Sequence, residues 1–146
     1  MGQQQLLLII LGVIIVGIAI AVGLQLFQSG SIGANQDAII NDIMNISSHA
    51  DQWRIRPVSM GGGGGVFVGE ASDGSPVNPY QLPERMRVTG NAEYTAVPDG
   101  PNTITIRGTS TIHDGGWVEL EYDATGQTDG ERFTWSSDGT VFDIES

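Results

Sequence analysis

Few residues in this 146-residue chain could carry chemistry. It has two histidines, His49 and His113, and no cysteine. Nucleophilic or metal-assisted hydrolysis would need a motif such as G-x-S-x-G or H-E-x-x-H, and neither occurs. His49 falls within a helical pattern and His113 at a strand-to-turn position, where each reads as a surface or interface residue. Asp123, Asp129 and Glu131 surround a glycine-rich turn and could offer oxygen ligands to Ca²⁺. Their spacing is not that of an EF-hand, so a solvated acidic turn is the preferred reading. Gly61 to Gly65 form an unbroken glycine run. A phosphate cradle would require a strand before such a run, a helix after it and a nearby lysine. The run instead reads as a place where the chain reverses tightly and lies close against a helix or a neighbouring subunit. Asn45-Ile46-Ser47 is formally a glycosylation sequon, but on a helix expected to be packed. These readings lead to the expectation of a non-enzyme with no cofactor and no metal.

The elements that would have to position any site begin with one long helical candidate. From Leu6 to Leu24 the residues are only Leu, Ile, Val, Ala and Gly, and no charge appears before Asp37. About 20 apolar residues in a helix cross a hydrocarbon core of about 30 Å, so this run reads as membrane-spanning at some stage. A soluble core helix would keep a polar stripe. Farther on, Ile32, Ile39, Ile43, Ile46, Ala50 and Trp53 recur at helical spacing between polar residues, which makes an amphipathic continuation. Pro57 marks its end. The segment lacks the positive n-region and the small-residue cleavage site of a conventional secretory signal. Gly17 to Gly23 reads as a soft stretch within it, and Gly30 with Gly33 as a second weak point.

The organisation expected is therefore a helix over residues 1–56, hydrophobic over 1–28 and amphipathic over 29–56. A Gly/Pro-rich connecting loop follows over 57–85, then an antiparallel sheet domain over 86–146. Strands are expected at 86–88, 92–97, 103–112, 117–122, 132–136 and 141–144, each bounded by a turn signal. Along 117–122, Val118, Leu120 and Tyr122 take one parity while Trp117, Glu119 and Glu121 take the other, as in a sheet with one face packed on a helix. The net charge of −11 is carried with no lysine, and only three of the 17 acidic residues precede Pro57. Such a C-terminal domain repels nucleic acid and anionic headgroups.

An uncharged apolar helix, its amphipathic continuation, a loop and a terminal antiparallel sheet resemble a type IV pilin or pilin-like protein. The likeness covers the whole chain in architecture and is concentrated in residues 1–28 in sequence. It implies an α+β, type IV pilin-like fold, a long N-terminal helix packed on a C-terminal antiparallel β-sheet. It further implies a homo-oligomer, held in the membrane before assembly and packed into an extracellular helical filament with the help of inner-membrane pilus assembly machinery. The pattern departs from the family in several places. Pilins carry a basic leader and a Glu at the fifth mature position; here Gln5 stands there if Met1 is counted first, and Leu7 if Gly2 ends a leader. The family's cysteine pair and its proline near position 22 are missing as well, with Val22-Gly23 in the latter place. Since the family's Glu is thought to neutralise a neighbour's amino terminus, Gln3, Gln4 and Gln5 are expected to substitute as a neutral polar cluster. Filament-core packing is assigned to Gln3, Gln4, Gln5, Leu6, Gly12, Gly17 and Gly23, and helix–sheet packing to Ile39, Ile43, Ile46 and Trp53. The rival reading is a single-pass membrane-anchored, pseudopilin-like component of a secretion machine whose sheet domain binds a partner.

Overall fold

The computed structural model describes residues 2–113 and 116–125, together with the backbone of 132–136 and 142–144. It is an α+β structure in which a 54-residue N-terminal helix, α1 (Gly2–Ile55), contacts a C-terminal antiparallel sheet. Residues 1–34 and 35–146 form two compact units. The first is purely helical, and from Gly2 to Ser31 every residue is exposed.

In the second unit a single 3₁₀ turn (Val58–Met60) follows α1, and then two short strands, β1 (Gly69–Glu70) and β2 (Pro76–Val77), pair with each other. A one-turn helix, α2 (Glu84–Arg87), leads into β3 (Ala92–Pro98), β4 (Thr103–Ser110), β5 (Trp117–Asp123), β6 (Arg132–Ser136) and β7 (Phe142–Ile144). These five strands form an antiparallel meander in sequence order. Its register aligns Ala96, Ile106, Leu120, Phe133 and Ile144 in one row across the sheet.

Period-two alternation decides which face is covered. Ile104, Ile106, Val118 and Leu120 are buried, whereas Arg107 and Glu121 on the opposite face are exposed. The helix presents Ile39, Ile43, Ile46 and Ala50, one stripe at helical spacing, each at most 2% exposed. The connecting loop adds Phe67, Tyr80 and Leu82 to the same core. Helix and sheet approach closely at Gly108, where a Cβ would stand 2.7 Å from Ile39 Cγ2 and 2.7 Å from Tyr94 Cε1. A glycine within a strand thus lets the helix lie directly on the sheet. Polar bonds fix the seam. Ser110 Oγ donates to Asn35 Oδ1 at 2.7 Å, the Asn35 amide donates to Asn91 O, and the Tyr94 hydroxyl donates to Asp42 Oδ2 at 2.6 Å. Desolvation, reinforced by that carboxylate, holds the Tyr94 hydroxyl well above its ordinary pKa, so it remains a donor.

Three local expectations are corrected. Residues 86–88 are not a strand: Glu84–Arg87 is a helical turn started by Pro83, with an Arg87–Glu84 ion pair at 3.0 Å and only a single bridge from Val88 to Glu93. The strand expected over 103–112 stops at Ser110, because the Ser110 hydroxyl accepts from the backbone N–H of Ile112 and of His113 and turns the chain. The Gly/Pro-rich connecting loop expected over 57–85 contains the β1–β2 pair, closed by a turn in which Gly74 has φ 79° and Asp73 Oδ1 accepts from the Ser75 N–H.

Two substitutions test this packing. Ile43→Ala is expected to cost about 2–5 kcal/mol, the usual range for a buried large-to-small change. Gly108→Val is expected to cost about 1–3 kcal/mol, because it overfills the close approach of Ile39 and Tyr94 to this position. Urea unfolding of the detergent-solubilised chain measures both, and an unchanged midpoint for either would contradict the contact assigned to it.

Candidate functional site

The candidate site is the apolar segment of α1, together with the device that ends the helix. From Leu6 to Phe27 sixteen large apolar side chains are exposed, at 48–76% of their full accessible area. The best 18-residue window has a mean hydropathy of 3.2, and none of it is buried against this chain. It is the one helix among the described residues long and apolar enough to cross a membrane, which is consistent with a membrane anchor or a signal sequence. Gln3, Gln4, Gln5 and Leu6 lie exposed in the first turns of the helix. A Cβ added at Gly12, Gly17 or Gly23 would meet nothing within 4 Å, so within one chain no contact requires these residues to be small. The helix continues through Gly30 and Gly33.

At the other end, the glycine run closes α1. Gly63 N–H donates to Trp53 O, Gly64 N–H to Arg56 O and Gly65 N–H to Arg54 O at 2.7–2.9 Å, so carbonyls left open by the helix terminus are satisfied by backbone. Gly61, Gly64 and Gly65 have φ of 75°, 68° and 108°. A Cβ at Gly62 would lie 2.3 Å from Arg56 O, and one at Gly63 would lie 2.0 Å from Val66 O and 2.6 Å from the Trp53 ring. Each of the five positions therefore disfavours a side chain, for one of two reasons. The Arg54 guanidinium pairs with Asp51 at 3.0 Å, donates to Gly65 O and covers the Phe67 ring at 5.6 Å.

Ile39, Ile43 and Ile46 lie in the core with the sheet, whereas Trp53 meets Tyr80 edge-on at 5.5 Å and stands over Gly63 of the loop. Tyr80 also reaches His49, its hydroxyl 2.8 Å from Nδ1. Burial pushes the Tyr80 hydroxyl up to about 12, so it is protonated at neutral pH. Burial first, and then the positive charges of Arg85 and Arg56, lower the His49 pKa from its ordinary value of 6.5. His113, by contrast, sits in the turn after β4 with its backbone N–H on Ser110 Oγ. Asp129 and Glu131 of the acidic turn lie outside the described residues, and Asp123 Oδ1 accepts from the Thr125 N–H and hydroxyl.

Sequence reasoning passed over Gly108, Asn35, Asp42 and the His49–Tyr80 pair. Gly108 carried a usable signal, a lone glycine inside an alternating strand. The polar seam carried none, because Asn35 and Asp42 look like any other polar residues of an amphipathic helix. His49 yields a pH test. Its folded-state pKa lies below the unfolded one, so beneath about pH 6.5 the unfolded chain binds more protons. Stability is expected to fall as pH drops through that value, and to level off below the folded-state pKa. His49→Gln should flatten this part of the profile, read from unfolding midpoints at several pH values between about 7.5 and 5.5. A profile indistinguishable from that of the parent chain would exclude His49 as its source.

The architecture, a hydrophobic N-terminal helix whose far half packs on a C-terminal antiparallel sheet, is pilin-like. Comparison with protein families, with curated proteins and with solved structures finds no match in any of the three.

Proposed function

We propose that this chain is the structural subunit of an extracellular, type IV pilus-like helical filament, assembled from a membrane-held pool by packing of the hydrophobic N-terminal helices. The observation that carries the proposal is the all-round exposure of Leu6 to Phe27 on a helix whose other half is committed to a folded domain. Leaving a Leu, Ile or Val side chain in water rather than burying it costs about 1.5–3 kcal/mol. For sixteen such residues the total is on the order of 20–50 kcal/mol, beyond the whole stability of an ordinary domain. The segment must be covered, first by lipid and then by copies of itself.

Lipid chains are as apolar as leucine, so transfer from bilayer to fibre gains little from the hydrophobic effect. Association then relies on close van der Waals packing, and small residues permit it. Gly12, Gly17 and Gly23, which no contact within the chain requires, suit that role. A contact between unlike surfaces that does not close on itself generates a helical fibre. The role is structural rather than catalytic, and the partners are further copies of the chain and the membrane machinery that extracts them.

Mechanical shearing of cells that express the chain, followed by electron microscopy and mass spectrometry of the sheared fraction, tests this reading. Filaments composed of this one subunit are expected. Replacing Gln3, Gln4 and Gln5 together by Leu is expected to abolish assembly while leaving the membrane pool intact, because a neighbour's amino terminus loses its polar partners. Recovery of the protein only as single copies in the membrane fraction would favour the anchored, pseudopilin-like alternative.

A further inference from the structure

The end of α1 displays an apolar surface of its own. Ile55 is 64% exposed, Val58 64% and Met60 70%, three large apolar side chains within six residues. The other exposed large apolar residues described beyond the first unit (Met44, Val77, Val88, Val97 and Ile112) stand singly along the sequence. Clustered apolar exposure of this kind marks an interaction site more often than scattered exposure does.

This tip is held rigid. The N–H groups of Met60, Gly61, Gly62, Gly63, Gly64 and Gly65 all donate to carbonyls between Trp53 and Val58. The segment therefore cannot fold its apolar side chains back without breaking the helix cap, and little entropy remains to be lost when a partner binds. Arg56, exposed within the same six residues, makes no ion pair among the described residues. Exposed apolar residues with an arginine and a methionine among them match the composition of protein-binding surfaces.

Charge indicates the occupant. The chain carries −11 overall, and Glu70 and Glu93 are exposed carboxylates without an ion pair among the described residues. An unpaired cation in an apolar patch is complementary to that acidic surface on another copy. We infer that the Ile55–Met60 tip is a contact between copies of this chain, seated against the acidic sheet domain of a second copy. The inference rests on the filament reading for the crowding of copies, yet it concerns a surface that the apolar segment does not include.

Because the chain has no cysteine, a single introduced thiol reports its own neighbourhood. Met60→Cys, in the full-length chain expressed in cells, would be coupled to a photoactivatable benzophenone maleimide, irradiated, and its adducts mapped by mass spectrometry. The expected product is a dimer of this chain joined from position 60 to the sheet domain of the second copy. Arg56→Glu in the same background should abolish it, with the unfolding midpoint of the solubilised chain unchanged. Filaments without such dimers would overturn the tip contact and leave the filament reading standing. Dimers without filaments would support the contact and remove the filament. Adducts only to lipid, or none in any fraction, would overturn the contact.

Discussion

The burial of one helical stripe, Ile39, Ile43, Ile46 and Ala50, against the inner face of the sheet is the contact on which the second compact unit depends. Each large side chain there contributes about 1.5–3 kcal/mol when removed from water, a sizeable share of the stability of a domain this small. Gly108 permits the approach, and Asn35 and Asp42 fix where along the helix the sheet is seated. Apolar packing supplies the energy, while the polar seam supplies register, since a slipped helix would leave a buried amide and a buried tyrosine hydroxyl unsatisfied. The glycine run completes the unit by bonding the carbonyls at the end of the helix and directing the chain toward Phe67 and Tyr80.

The same helix has opposite physical demands in its two halves. Beyond Asn35 its apolar residues form a stripe that the chain's own sheet covers. Before Ala34 they run all the way round, and among the described residues nothing covers them. A helix that is apolar on every side has the composition of a membrane span rather than of a helix lying on a small domain. In the function proposed above, lipid and then identical helices surround this half, and passage from one to the other needs no refolding of the sheet domain. Surface charge divides the same way: the acidic residues are concentrated after residue 57, which favours solvation of the folded domain, while the apolar half carries no charged side chain.

Much of this was legible in the residues. Nineteen consecutive residues drawn from Leu, Ile, Val, Ala and Gly, and then isoleucines at helical spacing, specify both halves of α1. Alternation from Val118 to Tyr122 and the turn signals between strands specify the meander. Less legible was what depends on tertiary partners. The turn at Glu84–Arg87 was missed for a local reason, since four residues are too few to show a helical period. Ser110 reads as mid-strand until its hydroxyl meets Asn35. Phe67 and Tyr80, in a segment of glycines and prolines, look like loop residues, and their burial follows only once the chain has reversed at Gly61–Gly65. The polar groups of the seam resemble solvated surface because their partners are 52 to 75 residues away.

Helical reconstruction of sheared filaments by cryo-electron microscopy tests the central claim most directly. The apolar segments of successive copies, residues 6–24, are expected as helices bundled on the fibre axis at spacings of about 8–10 Å, with the sheet domains outside. A filament whose axis is built from other surfaces, or whose apolar segments remain separated from one another, would contradict the account.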